Sequence, residues 1–263
     1  MLQAFLLTLL AGLSTGIGGL IAFFSKSDNK NFLSASLGFS AGVMLYVSFV
    51  DIFQKSNVIL IGALGEKAGS IVNVIGFFAG MFFIMIIDNL IPEDKNLHEM
   101  KPIEVGLEED KENDKLLRTG LMTALAIGIH NFPEGIATFI AALDDPVMAI
   151  PIVVAIAIHN IPEGIAVSVP IYRATGSKKK ALLVSTLSGL AEPVGALVGW
   201  IFLQPFLNDI TFGLVFASVA GIMVYISIDE LLPSAREHGN HHLSILGLIF
   251  GMIVMAVSLL FFI

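Results

Sequence analysis

Residues 69–91 read GSIVNVIGFFAGMFFIMIIDNLI, with Asp88 the only charged side chain in the run. A bilayer's hydrocarbon core is matched by about 20 consecutive apolar residues in a helix, and this stretch meets that requirement. Others share its character, giving apolar segments at 2–24, 32–53, 69–91, 119–142, 147–172, 181–203, 208–232 and 243–263. In hydrocarbon every backbone N–H and C=O needs an internal partner, which only helices and closed barrels supply. The alternating short strands of a barrel are missing. The expected fold is therefore all-α and polytopic, with eight transmembrane helices in one domain over residues 1–263.

Composition agrees. Charged residues make up 14% of the chain, against about 25% in a soluble domain. They are segregated between the apolar runs, and no basic patch suggests nucleic acid. The first run, MLQAFLLTLLAGLSTGIGGLIAFF, has no basic start and is too long for a signal peptide, so it reads as a span. With the N-terminus outside, the inner loops hold Lys26, Lys30, Lys95, Lys101, Lys111, Lys115, Arg118, Arg173, Lys178, Lys179, Lys180 and Arg236. The outer loops then hold only Lys55 and Lys67. This bias places both termini outside a cytoplasmic (inner) membrane. Residues 92–118, mixed in charge and poor in aromatics, read as a flexible cytoplasmic loop between helices 3 and 4.

Two repeats stand out. IGIHNFPEGIATF at 127–139 and IAIHNIPEGIAVS at 156–168 fall on consecutive helices 4 and 5, which run in opposite directions. AGVMLYVSFVDIF at 41–53 in helix 2 matches AGIMVYISIDELL at 220–232 in helix 7, five spans later and again oppositely directed. Small-residue motifs recur because they let helices approach, but that does not account for matched Tyr, Ser and acidic positions. The pattern predicts an inverted repeat, helices 1–3 mirroring helices 6–8 around the 4–5 pair. Such repeats are typical of alternating-access transporters with a site near the midplane.

The duplicated motif carries the chemistry. His130, Asn131 and Glu134 share one helix face through their i, i+3 and i, i+4 spacing, as do His159, Asn160 and Glu163. Pro133 and Pro162 lack an N–H, so the carbonyls of Ile129 and Ile158 lose their helical partners. His130 lies twelve residues from Arg118 and His159 fourteen from Arg173. At 1.5 Å per residue both sit roughly 18–21 Å from the inner flank, near the midplane. Glu192, in SGLAEPVGA of helix 6, lies twelve residues from Lys180 at similar depth. Three carboxylates cannot all stay ionised there without a counter-cation, and no Lys or Arg lies beside them. Protons or metal ions must compensate, and His and Asn beside carboxylates favour a divalent metal. With no cysteine in the chain, any metal site uses nitrogen and oxygen donors.

Other polar positions are less constrained. Asp51, expected at the outer end of helix 2, and Asp229 and Glu230, expected at the inner end of helix 7, are candidate stations along an ion path. Asp88 reads as an interfacial acid. His238, His241 and His242 read as a solvated cluster, and Met44 and Met223 as packing residues.

At HNFPEG (130–135), HNIPEG (159–164) and AEPVG (191–195) the chain resembles the ZIP family of divalent-metal transporters, most closely its bacterial members. The resemblance implies import of zinc, with iron, manganese and cobalt as further substrates, and no cofactor. It implies a two-metal centre of His130, Asn131, Glu134, His159, Asn160, Glu163 and Glu192, with Glu134 and Glu163 bridging, and metal binding near Asp229 and Glu230. Many members carry an acid where this chain has Asn160, so the site here is less anionic. The expected partners are divalent metal ions and the lipid bilayer, and the chain is compatible with a homodimer. An intramembrane zinc protease would need H-E-x-x-H. This chain has H-N-x-P-E, with Asn at the base position, so no enzyme is expected.

Overall fold

In the computed structural model, residues 1–21, 30–90, 109–147, 149–206, 208–237 and 240–260 are described. Among them all regular structure is helical. Helix α1 spans Leu2–Ile21. Helix α2 runs through Lys30–Val47, a π turn at Ser48–Ile52, and Phe53–Leu64. Helix α3 is Glu66–Leu90, α4 is Glu109–Asp144 and α5 is Ile150–Thr175. Helix α6 comprises Lys178–Gly189 and Ala191–Leu203. Helix α7 comprises Asp209–Ile226, a π turn at Ser227–Leu231, and Leu232–Glu237. Helix α8 is His241–Leu260. All but α4 are identified as long and apolar enough to cross a membrane from their described residues. With α4 carrying the first HN-x-PEG motif, the chain is an all-α polytopic membrane protein.

Local chemistry explains the turns. Gly65, at φ 83°, takes a backbone conformation that costs other residues energy, and it reverses the chain between α2 and α3. Gly176, at φ 62°, ends α5 as a left-handed cap whose N–H bonds the Tyr172 carbonyl at 2.8 Å. The side chains of Ser177 and Asn208 cap the starts of α6 and α7, accepting from the N–H groups of Lys180 and Thr211. Apolar stripes face outward, for example Val74, Phe78 and Phe82 on α3 and Leu246, Ile249 and Ile253 on α8. In a membrane these stripes meet lipid.

Helix α2 differs from expectation. It does not end at residue 53 but continues eleven residues further, to Leu64. The polar run Gln54–Asn57 reads as a loop in sequence, yet Lys55 and Ser56 both find partners within the helical packing. Lys55 pairs with Asp51 one turn back, at 2.9 Å. Ser56 donates to the buried Asn73 of α3, while Ile52 and Leu60 are buried. Asp51 therefore lies within a helix, in its π turn, rather than at a helix end. The Asp51–Lys55 pair is partly exposed at 13% and 40%. Lys55→Ala is expected to change the unfolding free energy by less than about 1 kcal/mol, which a chemical denaturation series in detergent would check.

Helix α4 starts at Glu109, so Glu109–Arg118 is helical rather than part of the loop expected over 92–118; residues 91–108 lie outside the described residues. The prolines at 133 and 162 do not break their helices, which run through both motifs.

Packing reveals the inverted repeat. Helices α1, α4, α5 and α6 form one group, and α2, α3, α7 and α8 form the other, joined chiefly where α2 meets α5 and α4 meets α7. Exchanging α1 with α6, α2 with α7, α3 with α8 and α4 with α5 carries each group onto itself. Glycines mark the crossings. A Cβ on Gly42 would overlap the carbonyl oxygen of Leu248, and one on Gly251 that of Phe39. The mirror contacts are Gly221 on Phe77 and Gly80 on Ser218. In the other group Gly18 meets the Ile161 carbonyl and Gly164 that of Thr15, mirrored by Gly195 on Phe132 and Gly135 on Glu192. Gly12 and Gly189 each meet the other's carbonyl, so this contact is its own mirror image. The π turns obey the same exchange, Ser48–Ile52 matching Ser227–Leu231. Such backbone approach is the close packing that small residues give membrane helices.

Candidate metal centre

The glycine contacts fix what the motif side chains face. On α5, Gly164 lets the backbone of α1 approach, placing Asn160 within reach of the Ala11 carbonyl at 3.1 Å. On α4, Gly135 does the same for α6, and Asn131 donates to the Ser188 carbonyl at 3.3 Å. These two bonds are mirror images. They orient the amide nitrogens toward backbone, which turns the amide oxygens elsewhere. Neither Asn131 Oδ1 nor Asn160 Oδ1 has a hydrogen-bond partner among the described residues.

An imidazole and a carboxylate meet across the helix pair. His159 Nε2 of α5 lies 3.3 Å from Glu134 Oε1 of α4, both side chains almost fully buried. Asn160 Nδ2 also donates to Glu192 Oε1, tying α5 to the second half of α6. Glu163 is fully buried beside them. Both oxygens of Glu134 and the Oε2 of Glu192 lack a hydrogen-bond partner among the described residues. Backbone contacts hold the frame: Thr138 donates to the Glu134 carbonyl at 2.8 Å, and Ser40 of α2 to the His159 carbonyl at 3.3 Å.

Of the residues singled out in sequence, the structure pairs Glu134 with His159 and Asn160 with Glu192, turns the Asn131 amide to the Ser188 carbonyl, and buries Glu163 on α5. His130 lies on α4, but its side chain is outside the described residues. Among the described residues no three His, Asp or Glu side chains stand as a ready group around one cation position. Unsatisfied buried acceptors are rare and call for an explanation. Here they are carboxylate and amide oxygens beside an imidazole, a donor set suited to zinc and other borderline or hard divalent ions.

The remaining candidates lie elsewhere. Asp229 and Glu230 occupy the π turn of α7, half-buried and within the helix rather than at its end, and Asp51 sits in the matching turn of α2. None is on the three helices that carry the cluster. The side chain of Asp88 and all of His238 lie outside the described residues, while His241 and His242 are exposed at the start of α8. Met44 and Met223 are buried in the main core. A groove of about 640 Å³ between α3, α4 and α6 reaches Phe132, Pro133 and Ser188. Its lining is overwhelmingly apolar, so it suits a lipid chain better than a hydrated cation.

One residue escaped the reading of the sequence. Thr15 of α1 is fully buried, and its Oγ1 has no hydrogen-bond partner among the described residues. The signal was there: GLSTGIG at 12–18 resembles GLAEPVG at 189–195. Threonine at the position of Glu192 carries no charge and drew no notice.

Comparison with known proteins points the same way. A family model described as ZIP Zinc transporter matches residues 89–259. A "Zinc transporter ZupT" of Streptococcus mutans is 65% identical, the match covering 99% of this chain and 97% of that protein. Proteins of the same description from Clostridium perfringens and Chlorobaculum parvum are 58% and 61% identical, over 100% and 99% of this chain and 96% and 98% of theirs.

Proposed function

This chain belongs to the ZIP zinc-transporter family, and we propose that it imports zinc across the cytoplasmic membrane through the buried centre on α4, α5 and α6. It is a multi-pass membrane transporter and not an enzyme. The observation that carries the mechanism is the pairing of Glu134 and His159 across two antiparallel helices, with carboxylate and amide oxygens left unsatisfied around them. Zinc enters from outside, exchanges water for imidazole, amide and carboxylate donors, and leaves inward. His130, Asn131, Glu134, His159, Asn160, Glu163 and Glu192 are its ligands, and Glu134 and Glu163, related by the inverted repeat, bridge two ions. Iron, manganese and cobalt fit the same donors. The N-terminus faces outward, following the basic residues of the loops.

The inverted repeat supports alternating access. The same packing, read in the opposite sense, generates an inward-open arrangement from an outward-open one. On this reading Asp51 in α2 and Asp229 and Glu230 in α7 are equivalent way stations at the two ends of the path. Their π turns support this, because π turns in helices frequently mark functional sites.

Reconstitution of the purified chain into zinc-free vesicles tests the proposal. Radioactive zinc is expected to accumulate saturably inside, and accumulation no greater than in protein-free vesicles would overturn it. Protons and zinc compete for the same lone pairs, so binding releases protons. Zinc uptake is therefore expected to fall as the outer pH is lowered, read from initial rates at fixed free zinc.

A further inference from the structure

We infer that Thr15 of α1 is the repeat-related partner of Glu192 and lines the same centre, offering a neutral oxygen where the other half offers a carboxylate. The inference rests on the reading of the centre as a metal site and adds a residue that the HN-x-PEG and AEPVG motifs do not contain.

The correspondence is carried by contacts as well as by sequence. Gly12 and Gly189 face each other as mirror images. One turn on, Thr15 and Glu192 are the next matching pair. The carbonyl of Thr15 seats Gly164, and that of Glu192 seats Gly135. The Asn160 amide bonds the Ala11 carbonyl, and the Asn131 amide bonds that of Ser188. These three contacts around Glu192 thus have twins around Thr15.

The side-chain contacts do not. Glu192 reaches across to the Asn160 amide. The shorter threonine makes no equivalent hydrogen bond to Asn131. Thr15 Oγ1 is thus left buried and unsatisfied, beside an Asn131 Oδ1 that is unsatisfied just as its mirror atom Asn160 Oδ1 is. A threonine in a helix usually satisfies its hydroxyl on the carbonyl one turn back, as Thr8 does here with Ala4 at 3.1 Å and Thr138 with Glu134. Thr15 forgoes that bond, while its own carbonyl accepts from Ser185 at 2.9 Å. Its neighbourhood is tight: a Cβ on Gly189 would lie 2.7 Å from its Oγ1. A hydroxyl held in place without a partner, on the side of the centre lacking the third acid, is placed to ligate an ion. Threonine instead of glutamate keeps that half less anionic, so zinc is held loosely enough to leave.

Zinc titration of the purified full chain, with uptake in vesicles, tests this. Thr15→Val keeps the shape and removes the oxygen, and is expected to weaken zinc binding about tenfold. Thr15→Ser is expected to stay within about twofold of the parent because it keeps that oxygen. Thr15→Glu restores the missing acid and is expected to tighten zinc binding about tenfold while slowing maximal uptake. Parental affinity in serine beside a weakened valine separates a ligating oxygen from packing, because both variants keep the residue small. Both variants shifting affinity in the same direction, or neither shifting it, overturns the inference, provided Glu134→Ala abolishes zinc binding in the same assay. Should Glu134→Ala bind zinc like the parent, the metal-centre reading fails first and the role of Thr15 falls with it. If Thr15→Glu is not recovered folded, the contrast between valine and serine decides alone: equal affinities overturn the inference, and loss in valine only supports it.

Discussion

Replacing Glu134 or Glu163 by alanine is expected to lower zinc uptake on the order of 100-fold or more, since even an outer partner of a metal ligand is worth 10–100-fold. Both carboxylates are buried almost completely, and the two are exchanged by the inverted repeat. Removing either takes away one bridging carboxylate, so both losses are expected to reach that size. Glutamine at the same positions keeps the volume and removes the charge. If charge drives ion capture, Glu134→Gln and Glu163→Gln will be nearly as inactive as the alanine variants, with protein recovered at parental levels. Glu192→Gln should cost less, about tenfold, because the amide still reaches Asn160 while the bridging pair is intact. Initial rates in vesicles, normalised to reconstituted protein, give all five numbers. Uptake near the parental rate in either alanine variant would contradict the bridging pair.

The second large effect concerns glycine. At Gly164 an added Cβ would overlap the Thr15 carbonyl, and at Gly18 that of Ile161. Backbone cannot swing away as a flexible side chain does, so the helices must separate. Overpacking of this kind costs about 1–3 kcal/mol for a methyl, and more for valine. Gly164→Val and its mirror Gly135→Val are both expected to be lost as folded protein, seen as an absent monodisperse peak in size-exclusion chromatography. Gly164→Ala and Gly135→Ala should fold with lowered melting temperatures, by similar amounts. Gly62 is the control, since a Cβ there meets nothing within 4 Å. Gly62→Ala should melt as the parent or slightly higher, because alanine favours a helix interior by about 1 kcal/mol over glycine.

What could be read from the chain follows the strength of each physical signal. Burying charge in hydrocarbon is so costly that the apolar runs and the paired HN-x-PEG motifs were unmistakable. The pairing of helices 2 and 7 was also visible, through Tyr46 with Tyr225 and Ser48 with Ser227. Helix ends were less legible. The extension of α2 to Leu64 depends on Ser56 reaching Asn73 across to α3, a tertiary contact that no local propensity encodes. The continuation of α2 to Leu64 and of α7 to Glu237 likewise puts Asp51, Asp229 and Glu230, expected at helix ends, inside helices at the two π turns. Nor did the sequence show that the helices sort as α1, α4, α5 and α6 against α2, α3, α7 and α8. That follows from glycine contacts between distant segments. Thr15 was missed for a related reason: it is conspicuous only once α1 is superposed on α6.

Zinc bound at the centre is tested most directly by X-ray absorption at the zinc edge on the purified full chain loaded with one equivalent of zinc. The expected spectrum shows nitrogen and oxygen donors at about 2.0–2.1 Å, no sulfur, and the outer-shell scattering of imidazole. That imidazole signal should weaken in His159→Ala, and zinc should no longer be retained in Glu134→Ala. A spectrum unchanged in both variants would place the zinc elsewhere and contradict the assignment of the centre to α4 and α5.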